Sequence, residues 1–449
     1  MIKNGKKIKN FLIFLLLTLF ITSNSFADNH TVVELDPASS GGAKFVKIPK
    51  NAARDFLKEK GLKEGLNKRA NGSHLFITIG QGSVTATANS QMIHDARFNA
   101  FREAIQNAKS EYVKFLGETI KTSVVVSVKE NTMPETIAED TINKAVGVDA
   151  NSFVKLKKLI SLKLDTAMKK EGYDAEASDQ KKQEIAERVV RSKEINSFFS
   201  STAQSMIGGF QAWTVFEEAN PGDKAQFTVI GLWSPKLAKL AESIYFGNLD
   251  KVPRGAPNKS IEEQLPLDDP NKLLQSFGAQ MYLNENGNRV IVGFGHAAPL
   301  FENRGDALST ACDMANDKAN QQIVMFSKEN IMYSKVLNEI DKSEDFEKEG
   351  QKLYRSMQGR DYSLLIEGQA EITNFVSESI GEYAIKDSRY GATDCVAIRM
   401  WSPEGVQASN KTKELLNKTT TGTSSSTNSS TGNTTGKTTT QGTTGSDDF

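Results

Sequence analysis

The sequence predicts an α+β protein with two tandem copies of a helix-on-antiparallel-sheet domain, the first with a long helical insertion. Three features recur in the same order and predict this duplication. A β-branched run ends in Gly-x-Gly, a helical segment with alanine at every fourth position follows, and a strand ending in Trp-Ser-Pro closes the copy. The repeat markers are Gly80, Gly82, Gly293, Gly295, Trp233 and Trp401.

The two helical segments carry their alanines on one stripe, which lets a helix lie close to a sheet. Gly82 and Gly295 are matched as the second glycines, so the loop before the helix differs in length by two residues between the copies. The alanines are Ala96, Ala100, Ala104 and Ala108 in the first copy, and Ala307, Ala311, Ala315 and Ala319 in the second.

Each copy is therefore predicted to run as strand, long helix, strand, helical excursion, strand, turn, strand. The first helix spans about 90–116, and the β-branched run 122–128 predicts the next strand. Asn220–Asp223 predicts a turn, and Asn286-Gly287 predicts a tight hairpin leading into the second copy. The additional residues of the first copy fall in the helical insertion at about 135–190.

The N-terminus has the pattern of a secretory signal peptide. A lysine-rich start precedes the apolar run Phe11–Ile21, which is shorter than the roughly 20 residues of a membrane-spanning helix. Ser25 and Ala27 supply small residues before a cleavage site after position 27. We therefore expect Sec-type export to the periplasm or the exterior, with no transmembrane segment after cleavage; an uncleaved anchor is the alternative.

The formal net charge of zero conceals an uneven distribution. Residues 1–27 contain four lysines and no acid, so 51 basic and 55 acidic residues remain for the rest of the chain. A mildly acidic body argues against nucleic-acid binding, which requires a basic surface.

The composition divides the chain into six segments, of which the last, rich in Ser, Thr, Gly and Asn, cannot bury a core and is predicted to be disordered. The predicted segments are a signal peptide at 1–27, an N-terminal arm with a short helix at 28–72, the first copy at 73–250, a linker at 251–284, the second copy at 285–416 and the tail at 417–449.

The Gly-x-Gly strand, the helix with alanine at every fourth residue and the final strand pair resemble a family of bacterial envelope domains. This family includes small outer-membrane lipoproteins and the periplasmic proteins of flagellar basal-body rings. The resemblance covers about 73–246 and 285–405. It implies a role in envelope assembly or surface structure and no catalytic residues. The chain departs from the family in lacking a lipid-attachment cysteine and in carrying the helical insertion.

No catalytic, cofactor-binding or metal-binding motif is apparent in the sequence. His74, His94 and His296 are the candidate polar sites, but they do not occupy matched positions in the two copies. His94 precedes Asp95 at the start of the first helix, where a solvated or capping role is expected. The glycine pairs lack the third glycine of a dinucleotide fingerprint and suit a close helix–strand approach.

The lysine-rich stretch 155–170 predicts an amphipathic helix. Its lysines alternate with apolar residues. Three interpretations of this helix stay open: a face exposed to solvent, a contact with an acidic partner, or a peripheral contact with a membrane.

The two cysteines form a candidate disulfide inside the second copy. Cys312 follows Ala307 at the spacing of Phe101 after Ala96, and Cys395 precedes its Trp at the spacing of Phe227. If the helix packs on the last strand, both pairs bridge the same gap. The apolar residues Val396, Ile398 and Met400 argue against it, because they would turn Cys395 away from the core.

Three functional hypotheses follow. The first is an exported, non-catalytic envelope or secreted protein that binds envelope proteins or itself. The second is an exported enzyme whose site gathers groups such as His94 or His296 in a cleft. The third is a carrier with an apolar pocket between the two copies.

Overall fold

The computed structural model describes residues 33–34, 45–68, 74–86, 92–129, 160, 162–174, 176–205, 207–218, 225–252, 254–299, 306–328 and 375–421. Two sheets dominate these residues, and each has four antiparallel strands and a two-residue parallel strand at one edge. A long helix crosses one face of each sheet. The predicted α+β class and the two tandem copies are thereby confirmed.

The first half of the chain builds the first sheet, in the spatial order β2-β5-β6-β4-β3. Its elements are β1 (Val33–Glu34), β2 (Phe45–Val46), α1 (Pro49–Glu59), β3 (Gly65–Lys68), β4 (His74–Ser83), α2 (Ile93–Lys129), α3 (Asp179–Arg191), α4 (Lys193–Ser205), β5 (Gln211–Glu218), β6 (Gln226–Trp233) and α5 (Pro235–Tyr245), with a further helical segment at 162–170.

The second half builds the second sheet, to which β1 from the first half adds one edge strand. The spatial order of this sheet is β1-β9-β10-β8-β7. Its elements are a 3₁₀ turn (Leu249–Lys251), α6 (Ile261–Gln264), α7 (Pro270–Leu273), β7 (Gly278–Leu283), β8 (Arg289–Ala297), α8 (Ala307–Lys328), β9 (Glu378–Asp387), β10 (Ala392–Trp401) and α9 (Pro403–Thr421).

The predicted strand at 122–128 is wrong, because α2 continues through it to Lys129. Tyr112, Leu116 and Ile120 extend the alanine stripe at four-residue spacing and are fully buried. This continuous buried stripe keeps the chain helical and outweighs the β propensity of the run that follows. The fourth strand of each sheet instead precedes the Gly-x-Gly strand, as β3 and β7.

Strand pairing and the contact with the long helix show which glycines of the two copies correspond. Gly80 lies opposite Val229 in β6, and Gly295 lies opposite Ala397 in β10, each four residues before the tryptophan of its strand. A methyl group on Gly80 would lie 1.9 Å from the Ala104 carbonyl oxygen, and one on Gly295 would lie 1.9 Å from that of Ala315.

Gly80 therefore corresponds to Gly295, whereas the sequence match paired Gly82 with Gly295. In the corrected register Gly82 corresponds to Ala297 and Thr78 corresponds to Gly293. The alanine and tryptophan matches are unchanged.

One apolar core is shared by the two copies. It combines Leu57 of α1 and Leu240 of α5 with Ile323 and Phe326 of α8 and Trp401 of β10. A backbone hydrogen bond from the Gly209 amide to the Phe326 carbonyl joins the same regions. The copies are consequently packed as one body.

Two predicted boundaries differ from the observed strands. Strand β3 lies inside the range 28–72 predicted as an arm, and β7 lies inside the linker range 251–284. The remainder of that linker, with Ile261, Leu265 and Leu273, packs on the second face of the second sheet. Both faces of this sheet are thus covered.

The signal peptide at 1–27 lies outside the described residues, as do the predicted turn at 220–223, the first part of the insertion and the tail beyond Thr421. The described part of the insertion is helical. None of the described helices is long and apolar enough to cross a membrane.

Candidate functional site

A buried polar network lies where the two copies meet. This interdomain network consists of His94 and Arg97 of α2, Glu217 of β5, His296 of β8, Asp387 of β9, Asp394 of β10, and Arg389 and Tyr390 of the β9–β10 turn. It contains residues from both copies, so it forms only when they pack together.

Arg97 and Glu217 form a two-pronged ion pair at its centre. The Arg97 Nε and Nη2 atoms donate to the two carboxylate oxygens of Glu217 at 2.7 and 2.8 Å, and Nη2 also donates to the Leu274 carbonyl at 2.9 Å. Burial alone would lower the pKa of Arg97, but Glu217 more than offsets it and the pKa lies above its ordinary value. Burial alone would raise the pKa of Glu217, and Arg97 reverses that shift as well. Both groups remain ionised.

His94 is held neutral by its contacts. Arg97 Nη1 donates to His94 Nδ1 at 3.0 Å, so this nitrogen carries no proton, and the opposite nitrogen, Nε2, faces the Ala392 carbonyl at 3.4 Å. Burial lowers the pKa of His94, and nearby Arg97 and His296 add to this lowering against the opposing effect of Asp394. The expected solvated or capping role of His94 is therefore wrong, since its side chain is fully buried.

His296 has acceptors at both ring nitrogens. Its Nδ1 lies 2.7 Å from Asp394 Oδ2, and its Nε2 lies 2.6 Å from the Ser276 carbonyl oxygen. Both ring nitrogens of His296 therefore face oxygen atoms that accept hydrogen bonds. Burial alone would raise the pKa of Asp394, but its hydrogen bond with His296 and the positive charge of Arg97 help to bring the pKa below its ordinary value.

The β9–β10 turn closes the network from the second copy. Arg389 Nε donates to Asp387 Oδ1 at 2.8 Å, and a second guanidinium nitrogen binds the other carboxylate oxygen. The Tyr390 hydroxyl donates to Glu217 at 3.2 Å, across the boundary between the copies. Burial raises the pKa of Tyr390, and Glu217 adds to the effect, so the hydroxyl keeps its proton.

The segment 274–277 forms a wedge between the copies. Its Leu274 and Ser276 carbonyls accept the bonds from Arg97 and His296 described above, and the Phe277 ring stacks on His296 with centroids 4.2 Å apart. Phe277 also contacts Phe101 and Phe227 at 5.3 and 5.2 Å. A segment predicted as linker thus supplies acceptors and an aromatic ring to the interface.

The centre of the network is closed to solvent, whereas the Arg389 side chain at its margin is 25% exposed. His94, Arg97, His296 and Asp394 are 0% exposed and Glu217 is 1% exposed. Their hydrogen bonds are made mostly to one another and to the wedge, although Asp394 Oδ1 has no partner. Among the described residues, no group of three or more His, Cys, Asp or Glu side chains could hold a metal ion. The arrangement joins the two domains through buried side chains that bind one another.

The two cysteines form a disulfide between α8 and β10, with their Cα atoms 5.2 Å apart. At the matched positions of the first copy, Phe101 and Phe227 contact each other edge to face at 6.4 Å. The objection from Val396 and Ile398 fails because both faces of β10 are buried: these residues contact the former linker, and Cys395 faces α8.

The other candidate residues lie outside the interdomain network. His74 is the first residue of β4 and pairs with Lys68 of the edge strand β3. In the lysine-rich stretch, Ile160, Leu164 and Met168 are buried in the protein core, whereas Leu162 is exposed, and a peripheral membrane contact of this stretch stays a prediction. Lys163 binds Glu194 at 2.7 Å, and the lysines before Ile160 lie outside the described residues.

Sequence reasoning identified His94 and His296 but not their acidic and basic partners. Arg97 and Glu217 are 120 residues apart, and no motif connects them. A usable signal was the placement of lone charges within apolar elements, such as Arg97 beside the alanine stripe and Asp394 before Cys395.

No protein-family model and no curated protein matches the chain. Among solved structures, it is similar to the crystal structure of the hypothetical protein FTT1539c from Francisella tularensis, at 15% sequence identity and a TM-score of 0.45. The match covers 80% of this chain and 95% of the other.

Proposed function

We propose that this chain is an exported bacterial protein without catalytic activity, which has a structural or assembly role in the envelope or outside the cell. It acts through contacts with envelope proteins or with further copies of itself. Its resemblance to envelope domains in glycine and alanine placement agrees with this role.

The burial of His94, Arg97, Glu217, His296 and Asp394 at the centre of the interdomain network is the observation that carries the proposal. An enzyme needs its acids and bases within hydrogen-bond reach of a substrate. His94 and His296 do come together, as the enzyme hypothesis requires, but inside a fully buried set of mutual hydrogen bonds. The carrier hypothesis is likewise not favoured, because the wedge and these side chains fill the space between the copies.

The disulfide supports export. Cys312 and Cys395 are both buried and bonded, and structural disulfides persist in the periplasm and outside cells but are rare in the cytosol. The predicted signal peptide agrees with this compartment.

The test is cross-linking and pull-down of the tagged, processed protein from envelope extracts of the bacterium that makes it, with its oligomeric state measured by light scattering. We expect an envelope partner or self-association, and a disulfide that alkylation shows to be oxidised. Cytosolic extract is the matched control. A strictly monomeric protein that recovers no partner would contradict the proposal.

A further inference from the structure

The two copies differ at one edge of their sheets. Ile79 of β4 corresponds to Phe294 of β8. In the second copy β7 extends far enough for Gly278 to pair with Phe294, whereas in the first copy β3 pairs no further along β4 than Gly65 with Ile77. Copy one therefore lacks the strand residues that cover this position in copy two.

The early end of β3 is built into the chain. Gly65 has a φ of +92°, a left-handed conformation that turns the backbone away from β4. The Asn67 side chain holds this turn by accepting from the Lys63 amide at 3.0 Å and donating to the Lys63 and Gly65 carbonyls at 2.8 and 2.9 Å.

The exposed edge of β4 presents backbone groups for pairing. Backbone polar groups of a strand alternate between its two sides. The Gln81 carbonyl accepts from Asn107 of α2 and the Ser83 amide donates to Glu103, so odd-numbered residues point away from β6. The N–H and C=O of Ile79 point the same way, into the space that β3 leaves open.

That space is a groove of about 400 Å³ between β3, β4 and α2. Phe76 and Phe115 form an apolar floor, with ring centroids 4.4 Å apart. The Thr78 side chain also lines the groove, but its hydroxyl oxygen is buried and lies against Gly231 of β6, on the opposite side of β4.

The lining carries more negative than positive charge. It includes the carboxylates of Glu64, Glu111 and Glu118 and the single ammonium group of Lys114. Lys114 binds Glu111 at 2.6 Å, and Arg54 binds Glu64 from outside the groove at 2.8 Å. With these two ion pairs formed, three carboxylates face two cationic groups, and the one remaining negative charge favours a cationic ligand.

We propose that this groove binds an extended, lysine- or arginine-containing segment of a partner protein, which pairs with the backbone of Ile79 as Gly278 pairs with Phe294 in the second copy. The inference rests on the proposed function and gives the chemistry of one partner. When a peptide adds a strand to the edge of a sheet, backbone hydrogen bonds provide the affinity and side-chain contacts provide the specificity.

The test uses two fluorescein-labelled peptides, Lys-Val-Lys-Val-Lys-Val-Lys and the same peptide with every lysine replaced by glutamate, titrated with the full processed protein. We expect the basic peptide to bind roughly tenfold more tightly. Its binding should slow hydrogen exchange at the Ile79 amide. Equal binding of the two peptides, no binding of the basic one, or unchanged exchange at Ile79 would overturn the proposal.

Two variants locate the site. Glu111→Lys with Glu118→Lys should weaken the basic peptide about tenfold, whereas the exposed control pair Glu176→Lys with Glu414→Lys should not. Failure here, with a partner still recovered from envelope extracts, rejects the groove and leaves the proposed function standing.

Discussion

The two copies place the same helix over the same strand pair, but they secure that contact differently. In copy one the gap between helix and last strand is filled by the rings of Phe101 and Phe227, and in copy two it is closed by Cys312 and Cys395. Their sheet edges differ too, because β7 covers a position that β3 leaves open. The repeated fold therefore tolerates different chemistry at matched positions while the backbone geometry between helix and strand is kept.

The largest effect is expected where the copies join. Arg97→Met removes the two-pronged ion pair of buried Glu217, which keeps only the Tyr390 hydroxyl and Arg389 at 3.9 Å, and should cost roughly 3–5 kcal/mol of the free energy of unfolding. Urea unfolding measures it, with Arg54→Met as control, because the exposed Arg54–Glu64 pair should contribute at most about 1 kcal/mol. Equal losses in the two variants would show that the network does not hold the copies together.

The helix–strand contact of copy two comes next. Replacing both Cys312 and Cys395 by alanine opens a closed loop and should cost roughly 2–4 kcal/mol. A reducing agent should lower the urea midpoint of the parent protein and leave this variant unchanged. A parent protein insensitive to reduction would mean that the disulfide, unlike Phe101 and Phe227, does not stabilise its copy.

The corrected repeat register predicts a smaller effect. Gly80→Ala and Gly295→Ala should each cost about 1–3 kcal/mol, because each new methyl group meets a backbone carbonyl and the helix must move. Ala297→Gly, at the position matched to Gly82, creates no clash and should cost about 1 kcal/mol or less. Thermal unfolding of the three variants compares them, and a harmless Gly295→Ala would contradict the match to Gly80.

The smallest effect is a dependence on pH. Folded His94 stays neutral because burial lowers its pKa, whereas the unfolded chain takes up a proton as the pH falls through about 6.5. Stability should therefore fall on acidification, by at most about 1.4 kcal/mol for each pH unit.

Urea unfolding of the parent protein and of His94→Gln between pH 8 and 5.5 isolates this residue, since the other titrating groups are common to both. The parent should lose stability relative to the variant below pH 6.5. Parallel curves would mean that His94 carries its proton in the folded state. The lowered pKa values of Glu217, Asp387 and Asp394 act only at more acidic pH.

The sequence contained the repeat but not the way the repeats are joined. The cysteine and phenylalanine pairs occupy matched positions relative to the alanines and the tryptophan of each copy. The contact between helix and last strand could therefore be predicted from the sequence. The Arg97–Glu217 pair could not, because its stability depends on burial between elements far apart in sequence. The predicted strand at 122–128 was wrong because the β propensity of this run contributes less than the burial of the helical stripe that ends at Ile120. The packing of segment 251–277 between and against the copies could not be predicted from the sequence. Its few apolar residues are spread over two short helices and the wedge, so they form no periodic pattern.

Strand β1 pairs with β9, so nearly the first and nearly the last described parts of the chain are neighbours in one sheet. In a protein exported N-terminus first, as proposed, Val33 and Glu34 reach the new compartment long before Ile385 and Lys386 do. The second sheet cannot gain this edge strand until Ile385 and Lys386 have been translocated. Contacts so distant in sequence form late in folding, and until then the edge of β9 beside β1 remains open to other chains.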